Sequence, residues 1–349
     1  MAWQKWITVL LGCIVYASCK SADSIILVNN GVSKYAIVVP GKPTPVEEKA
    51  AKVLQTYIQK ITGVSIPIEK ELSFRGMPGI YVGATGRTAK FNSKKLPTES
   101  FIIGSTADHV FIKGGSGRGV LFGVYHLLEQ YWGCRKFVPG VTHVPANKVL
   151  SFPANELNEQ IPTLIYRQVY YPASWDKEYA DWHKLHSLDD LWALWGHSMH
   201  KILPAKQYFK TNPEYYALVG NQRNPAQPEF TNTAVLNITK QYVKKVIADN
   251  GDMPYVSLSM NDDVVYSTSP EAQAIDKVEG APSGSLLRFV NNVAKDFPDK
   301  TFTTLAYLWA AKPPALTKPA SNVLPFLSNI DAYRTKPLNV EPTARKFRE

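Results

Sequence analysis

Cysteine is almost absent from this chain. Three occur in 349 residues, Cys13, Cys19 and Cys134, and only Cys134 stands beyond the first few residues. No internal disulfide framework is therefore available, and the hydrophobic core must carry stability. Cys134 falls between a helical and an apolar extended stretch and reads as a buried small hydrophobe. Long apolar runs are also missing: after the N-terminal stretch, no segment reaches the roughly 18 apolar residues of a transmembrane helix. The formal charge of +10 is spread along the whole length, with no run of basic residues interleaved with aromatics, so nucleic acid is not an expected partner. There is no H-E-x-x-H, and the closely placed pairs His183/His186 and His197/His200 have no cysteine partner, so no metal is assigned. What is present is ordinary globular material, 45% hydrophobic and 19% charged, enough for two domains. Aromatics concentrate between Tyr166 and Trp195, which suits sugar stacking, although core packing is the commoner use of such clusters.

Residues 1–18, MAWQKWITVLLGCIVYAS, combine Lys5 with an apolar stretch from Trp6 to Ala17 that is too short to span a bilayer. They read as a secretory signal peptide. Residues 15–19, VYASC, resemble a loose bacterial lipobox in which Tyr16 departs from the usual pattern. On that reading Cys19 is the lipid-bearing residue and 19–23 form its tether. Plain cleavage after Ala17 or Ser18 is the alternative. The expected location is the periplasm or cell surface, with the membrane reached only through that anchor.

From 24 to 150 the pattern is an α+β domain with a mixed sheet and two helices. Asn29-Asn30-Gly31 signals a hairpin between two short apolar strands. Thr44 opens a helix whose Val46, Ala50, Val53, Leu54, Tyr57 and Ile61 share one face, and Gly63 stops it. A second amphipathic helix is expected over 119–131. Before it, residues 114–119, GGSGRG, satisfy neither the G-x-G-x-x-G fingerprint nor a Walker motif, so no cofactor is implied. Glycine there serves a tight turn and close helix–sheet packing.

A polar linker is expected over 151–162, followed by a barrel-type domain from 163 to 349. Residues 164–171, LIYRQVYY, read as a strand holding Arg167, whose charge must face a polar cavity or meet a carboxylate. The central stretch is 255–263, YVSLSMNDD: alternating apolar and small polar residues form a strand that runs into Asn261, Asp262 and Asp263. At the C-terminal end of a barrel strand such residues carry chemistry. As an Asx-rich turn they would only cap the next helix. Helices over 239–248 and 285–297 alternate with strands at 301–309 and 322–327, an order that argues for parallel α/β architecture.

Two resemblances sharpen this reading. Residues 114–139, through Arg118-Gly119, Gly123-Val124-Tyr125, Leu128-Glu129 and Gly133-Cys134-Arg135, resemble the last helix and strand of the small N-terminal domain of α-glucuronidases and β-hexosaminidases. That resemblance implies a domain that precedes a (β/α)₈ catalytic barrel and does not itself carry the chemistry. GHSMH, the PEYYAL segment, SMNDD, LLRFVNNVA and TTLAY resemble an uncharacterised barrel domain of exported bacterial proteins. It implies a carbohydrate-active barrel, with Asn261 and Asp262 at the asparagine–aspartate strand end. Two departures stand out. The closely spaced cysteines common after that pair are replaced by YSTSP at 266–270. The stretch from Ile161 onward is also shorter than the about 200–250 residues of a (β/α)₈ barrel, with about five strands legible. The expected fold is therefore α/β: the N-terminal α+β domain, then an incomplete (β/α) TIM-type barrel, either a partial barrel or a C-terminally truncated one.

Glycoside hydrolysis usually needs two carboxyl groups, about 5–5.5 Å apart for retention and about 6.5–9.5 Å for inversion. Asp262 is the expected acid/base and Asp263 the second carboxylate, with Glu214 in reserve. Neighbours on an extended strand face opposite sides, so both reach one pocket only if the strand has already broken. Substrate-assisted hydrolysis, in which an acetamido group of the sugar is the nucleophile, relaxes that need. Arg167, His197, Asn261, Tyr307 and Trp309 are the expected substrate contacts. The leading expectation is a glycoside hydrolase acting on a glycan that contains uronic acid or N-acetylhexosamine. The alternatives are a non-catalytic surface glycan-binding lipoprotein and a purely structural envelope protein.

Overall fold

The computed structural model describes residues 23–76, 78–91, 95–106, 108–187, 190–251 and 253–347. The export signal expected over 1–18 and the lipidation residue Cys19 lie outside them. The chain is mixed α/β and divides into two compact units between Leu185 and His186. Among the described residues no helix is long and apolar enough to cross a membrane.

The first unit runs β1 (Ser24–Asn29), β2 (Ala36–Val39), α1 (Pro45–Thr62), β3 (Ile68–Lys70), β4 (Gly79–Val82), α2 (Gly86–Phe91), β5 (Phe101–Thr106), β6 (His109–Gly114) and α3 (Gly119–Gln130). It continues through β7 (Arg135–Val138), β8 (Val141–His143), β9 (Val149–Pro153), β10 (Leu157–Gln160) and α4 (Lys177–Trp182). Six strands form a mixed sheet in the order β10-β5-β6-β4-β2-β3. The signals of α1 are local: Thr44 and Glu47 form a reciprocal capping box, Pro45 occupies the first turn, and Gly63 ends the helix at φ 78°. Its Leu54 and Ile58 meet Val124, Leu127 and Leu128 of α3 over Ile37, Ile80 and Ile112 of the sheet. Cys134 is buried as a free thiol, and burial pushes its pKa up to about 11.

Three expectations change here. The turn at Asn29–Gly31 forms, with Asn29 and Val32 exchanging backbone hydrogen bonds, but it does not join β1 to β2, because β1 pairs with β9. The linker of 151–162 is mostly sheet: β9 pairs with β1, and β10 edges the large sheet beside β5. Residues 164–171 form no strand, and Arg167 is engaged inside the first unit. Its Nη2 donates to Glu99 Oε2 at 2.5 Å, its Nε to Lys184 O at 2.8 Å and its Nη1 to Leu164 O at 2.6 Å. Arg118 meets the same Glu99 and also Asp181, and both guanidinium groups lie over the Phe122 ring. The half-buried charge has found its carboxylate in Glu99.

The second unit runs β11 (Trp192–Leu194), α5 (Met199–Ile202), α6 (Ala205–Tyr208), β12 (Tyr216–Val219), β13 (Gln222–Pro228), α7 (Thr233–Asp249) and β14 (Tyr255–Ser257). It then runs α8 (Pro270–Glu279), α9 (Ser283–Ala294), β15 (Thr301–Ala306) and β16 (Val323–Leu327). β11, β14, β15 and β16 form a parallel sheet in that order, and β12–β13 is a separate antiparallel hairpin. Leu194, Val256 and Phe302 are in register and pack with Val235 and Val243 of α7 and Phe289, Val290 and Val293 of α9. Rings from the two outer strands also meet: Trp192 lies 6.4 Å from Phe326, and Trp195, just past β11, lies 6.0 Å from it. Among the described residues the sheet ends at β11 and β16 and does not close into a barrel.

The glycine turn before α3 has a measurable cost of substitution. A Cβ on Gly115 would stand 1.8 Å from the Pro97 carbonyl oxygen, and one on Gly119 would stand 2.3 Å from that of Ser100. Both obstacles are backbone, which cannot swing aside. Gly115→Ala is expected to destabilise the protein by about 2 kcal/mol or more, the upper part of the overpacking range. Urea denaturation would show it as a lower midpoint with an unchanged slope.

Candidate functional site

β14 leaves the sheet in stages. Leu258 N still donates to Thr303 O at 2.8 Å, and Ser259 forms an isolated parallel bridge with His197. Serine hydroxyls fill the space between these strand ends: Ser257 Oγ donates to Gly196 O at 2.8 Å, and Ser259 Oγ accepts from Leu305 N at 3.1 Å. The chain then turns through Asn261, Asp262 and Asp263. His197 follows β11, and Tyr307 and Trp309 follow β15. The C-terminal ends of three adjacent parallel strands thus bring His197, Asn261, Asp262, Asp263, Tyr307 and Trp309 together, as βα-loop chemistry requires.

Their roles diverge. The His197 Nδ1 lies 2.7 Å from Met260 O. A carbonyl only accepts, so Nδ1 carries the proton and Nε2 is left to face Asp262. Nε2 is 3.7 Å from Asp262 Oδ1, beyond hydrogen-bond length but within ion-pair reach, and the Asp262 side chain is 65% exposed. The Tyr307 ring is centred 6.1 Å from the imidazole. Asp262 is therefore the carboxylate of this group that is open to a ligand.

Asp263 is not equivalent. Its Oδ1 accepts from Val265 N at 2.8 Å, a local Asx turn that fixes the loop. Asn261 is half engaged: its Nδ2 donates to Ala226 O at 2.7 Å, and its Oδ1 is buried without a partner. The bond to Ala226 O makes Asn261 part of the strand end. Trp309 donates from Nε1 to Asp263 O at 3.2 Å and stacks obliquely on Tyr266, so its one hydrogen-bonding group is structural too. Tyr307 and Trp309 do not share a strand face, because β15 stops at Ala306 and Leu308 turns the chain at φ 48°. Glu214, the reserve carboxylate, accepts from Asn212 Nδ2 at 3.3 Å on the exposed turn before β12. Arg167 belongs to the first unit, paired with Glu99.

Three residues of this region had no legible signal. Gln227, fully buried, bonds the backbone of Asn261. Glu229, also buried, accepts from Ser267 Oγ and Thr231 Oγ1. Asp276 accepts from Ser285 N at 2.8 Å, and burial, with Glu229 and Glu279 nearby, raises its pKa to about 6. Glu279 goes the other way. Hydrogen bonds from the Thr317 hydroxyl and backbone, with Leu316 N and Arg288, hold its pKa at about 2 against burial. A cavity of about 500 Å³ opens beside Tyr266, Ser267 and Asp276, and one of about 470 Å³ lies between α9 and β15–β16. Neither is lined by Asp262 or His197, so the strand-end group forms an open shelf distinct from both.

The fold and the shelf define a two-unit α/β protein with a histidine–carboxylate pair at the ends of parallel strands. The chain belongs to the family described as Domain of unknown function (DUF4838), whose model matches residues 137–349. The model for the glycosyl hydrolase family 67 N-terminus matches residues 29–127. No curated protein matches the chain. Among solved structures, it is similar to a chitobiase of Flavobacterium johnsoniae at 12% identity and a TM-score of 0.49, over 87% of this chain and 53% of that one. It is similar to an exo-β-N-acetylglucosaminidase of Vibrio harveyi at 12% identity and 0.46, over 88% and 55%. A third likeness is to the GH115 4-O-methyl-α-glucuronidase BtGH115A, at 12% identity and 0.45, over 86% and 45%. The chain spans about half the length of each of these structures.

The two shifted carboxyls predict opposite pH effects on stability. Asp276 has a raised folded pKa, so its contribution is intact below its ordinary value and is lost as pH rises through about 6. Glu279 has a depressed one, so its contribution is present above its ordinary value and is lost as pH falls through about 2. Asp276→Asn is expected to raise the melting temperature at pH 8 and change it little at pH 4. Thermal melts across that range check this, and an equal shift at both pH values would contradict it.

Proposed function

We propose that this protein hydrolyses glycosidic bonds, with Asp262 as the acid/base carboxylate and the second unit as an arc of a (β/α) barrel. The observation that carries the reading is the exposed Asp262 carboxylate, set beside His197 Nε2 at the C-terminal ends of parallel strands and flanked by Tyr307. The match of the first unit to a glycosyl hydrolase N-terminal model supports it. With one Asp263 oxygen tied to Val265 N, Asp262 is the freer carboxylate. That suits substrate-assisted cleavage of an N-acetylhexosaminide, where one carboxyl is the acid and the second only orients the acetamido group. Protonated Asp262 gives its proton to the glycosidic oxygen as the C1–O bond breaks. The acetamido oxygen of the substrate closes on C1. Water then opens that ring and returns a proton to Asp262. His197, anchored through Nδ1 to Met260 O, keeps Nε2 facing the carboxyl that handles the proton. Tyr307 offers a face for the sugar.

The test is turnover of 4-nitrophenyl N-acetyl-β-glucosaminide and 4-nitrophenyl α-glucuronide by the full chain and by Asp262→Asn. The substitution should lower kcat by at least about 100-fold, the scale of general acid catalysis, while sparing sugar binding in calorimetry. Undiminished cleavage by Asp262→Asn would sink the assignment. Saturable sugar binding without cleavage by either protein would favour the second reading, a glycan-binding protein, to which the occupied Asp263 carboxylate also points.

The same reading places the protein outside the cytoplasm, with residues 1–18 as its export signal and Cys19 as its lipid-bearing residue. Mass spectrometry of the N-terminal peptide from the producing cell should find Cys19 acylated. An unmodified Cys19 at or near the mature N-terminus would remove the anchor and leave export by simple signal cleavage.

A further inference from the structure

The loop that carries Asp262 is held less by the parallel sheet than by the β12–β13 hairpin. At its first end, Gln227 of β13 grips the backbone from both sides: Oε1 accepts from Asn261 N at 3.0 Å, and Nε2 donates to Asn261 O at 2.7 Å. The same Nε2 leans toward Asp263 O at 3.4 Å. Beside it, Ala226 O receives the Asn261 side chain. At the far end, Thr268 N donates to Leu218 O of β12 at 2.6 Å, and Leu218 N donates to Ser267 Oγ at 3.2 Å. Asp262 lies between these two ties, with its side chain in solvent. Gln227 itself has no exposed surface.

We infer that Gln227 is a positioning residue: it sets the peptide groups on either side of Asp262 and so aims that carboxylate. The inference rests on the reading of Asp262 as the acid. Only a side chain that donates and accepts at the same reach can make both bonds to Asn261, which a primary amide does and an ionised carboxylate does not. Glutamate at 227, once ionised, would set an anion against the carbonyl oxygens of Asn261 and Asp263 and take from Asn261 O its side-chain donor, while Asp263 O would keep the Trp309 indole. Protonated, it regains one donor and one acceptor. Burial raises the pH at which a carboxyl takes up its proton above the ordinary value of about 4.3.

Gln227→Glu and Gln227→Leu in the full chain, with circular dichroism to verify folding, test this in two ways. The first needs no substrate. In hydrogen exchange at pH 7, corrected for intrinsic rates, the amides of residues 261–265 should exchange at least about 10-fold faster in both variants than in the parent, the scale of one lost buried hydrogen bond. The β14 amides should stay protected. In Gln227→Glu, protection should return as pH falls toward about 5, and in Gln227→Leu it should not. The second readout is turnover of the aryl glycosides, where kcat should fall by about 10- to 100-fold with KM little changed, the cost of a small misplacement of a reacting group. In Gln227→Glu alone, activity relative to the parent should recover at acid pH.

Unchanged loop exchange in both variants overturns the inference. So does a kcat loss in Gln227→Glu that acid does not reverse while exchange protection does return. Altered exchange with no turnover even by the parent protein would instead refute the hydrolase reading and leave Gln227 as the holder of the loop.

Discussion

The site depends on one constraint: peptide groups that leave a parallel sheet inside a protein still need hydrogen-bond partners. β14 loses its ladder after Ser259, and Met260, Asn261 and Asp263 engage backbone groups by other means. Met260 O takes the His197 imidazole. Asn261 N and O take the two ends of the Gln227 amide. Asp263 O takes the Trp309 indole. Two of the side chains that look most functional, His197 and Trp309, are thus half occupied in building the strand end. The Asp262 side chain takes no part in that accounting, and its carboxylate stays exposed.

The division explains why Asn261, Asp262 and Asp263, adjacent and chemically alike, end with different roles. A strand would have pointed Asp262 and Asp263 to opposite faces. A turn instead lets Asp263 fold back onto Val265 N and makes it a local cap. Freeing the Asp263 carboxylate for a ligand would therefore cost the loop its own fixing bond, so the two positions are not interchangeable even though both are aspartate.

Legibility in the sequence followed the range of the interaction. α1 could be bounded from Thr44, Glu47 and Gly63 because its caps are local. The glycines at 114–119 were readable as packing residues because a missing fingerprint is also local. His197 and Asp262 stood out singly as functional residue types at strand ends, though nothing in the sequence showed they would meet. Arg167 could not be placed, because its partner Glu99 lies far upstream and belongs to the turn that receives α3. β10 reads as a linker in the sequence because an edge strand with exposed Leu157, Glu159 and Gln160 shows no apolar face to give it away. Gln227 was invisible for the plainest reason. One glutamine in QRNPAQP carries no pattern until the fold brings β14 beside it.

Two clamps of the second unit are held by different physics. On the β14 side the clamp is a neutral amide, indifferent to pH. On the β15 side, Glu279 fixes Leu316 and Thr317 through charge-assisted bonds to their backbone N–H groups, with Arg288 and the Thr317 hydroxyl completing the set. Those bonds keep Glu279 ionised down to about pH 2, so this flank stays intact wherever a carboxylic acid could work as a general acid. The neighbouring Asp276 takes up its proton near pH 6, which removes one negative charge from beside Glu229 and Glu279 as the medium acidifies. Mild acid thus relieves repulsion behind the loop and leaves its clamps untouched.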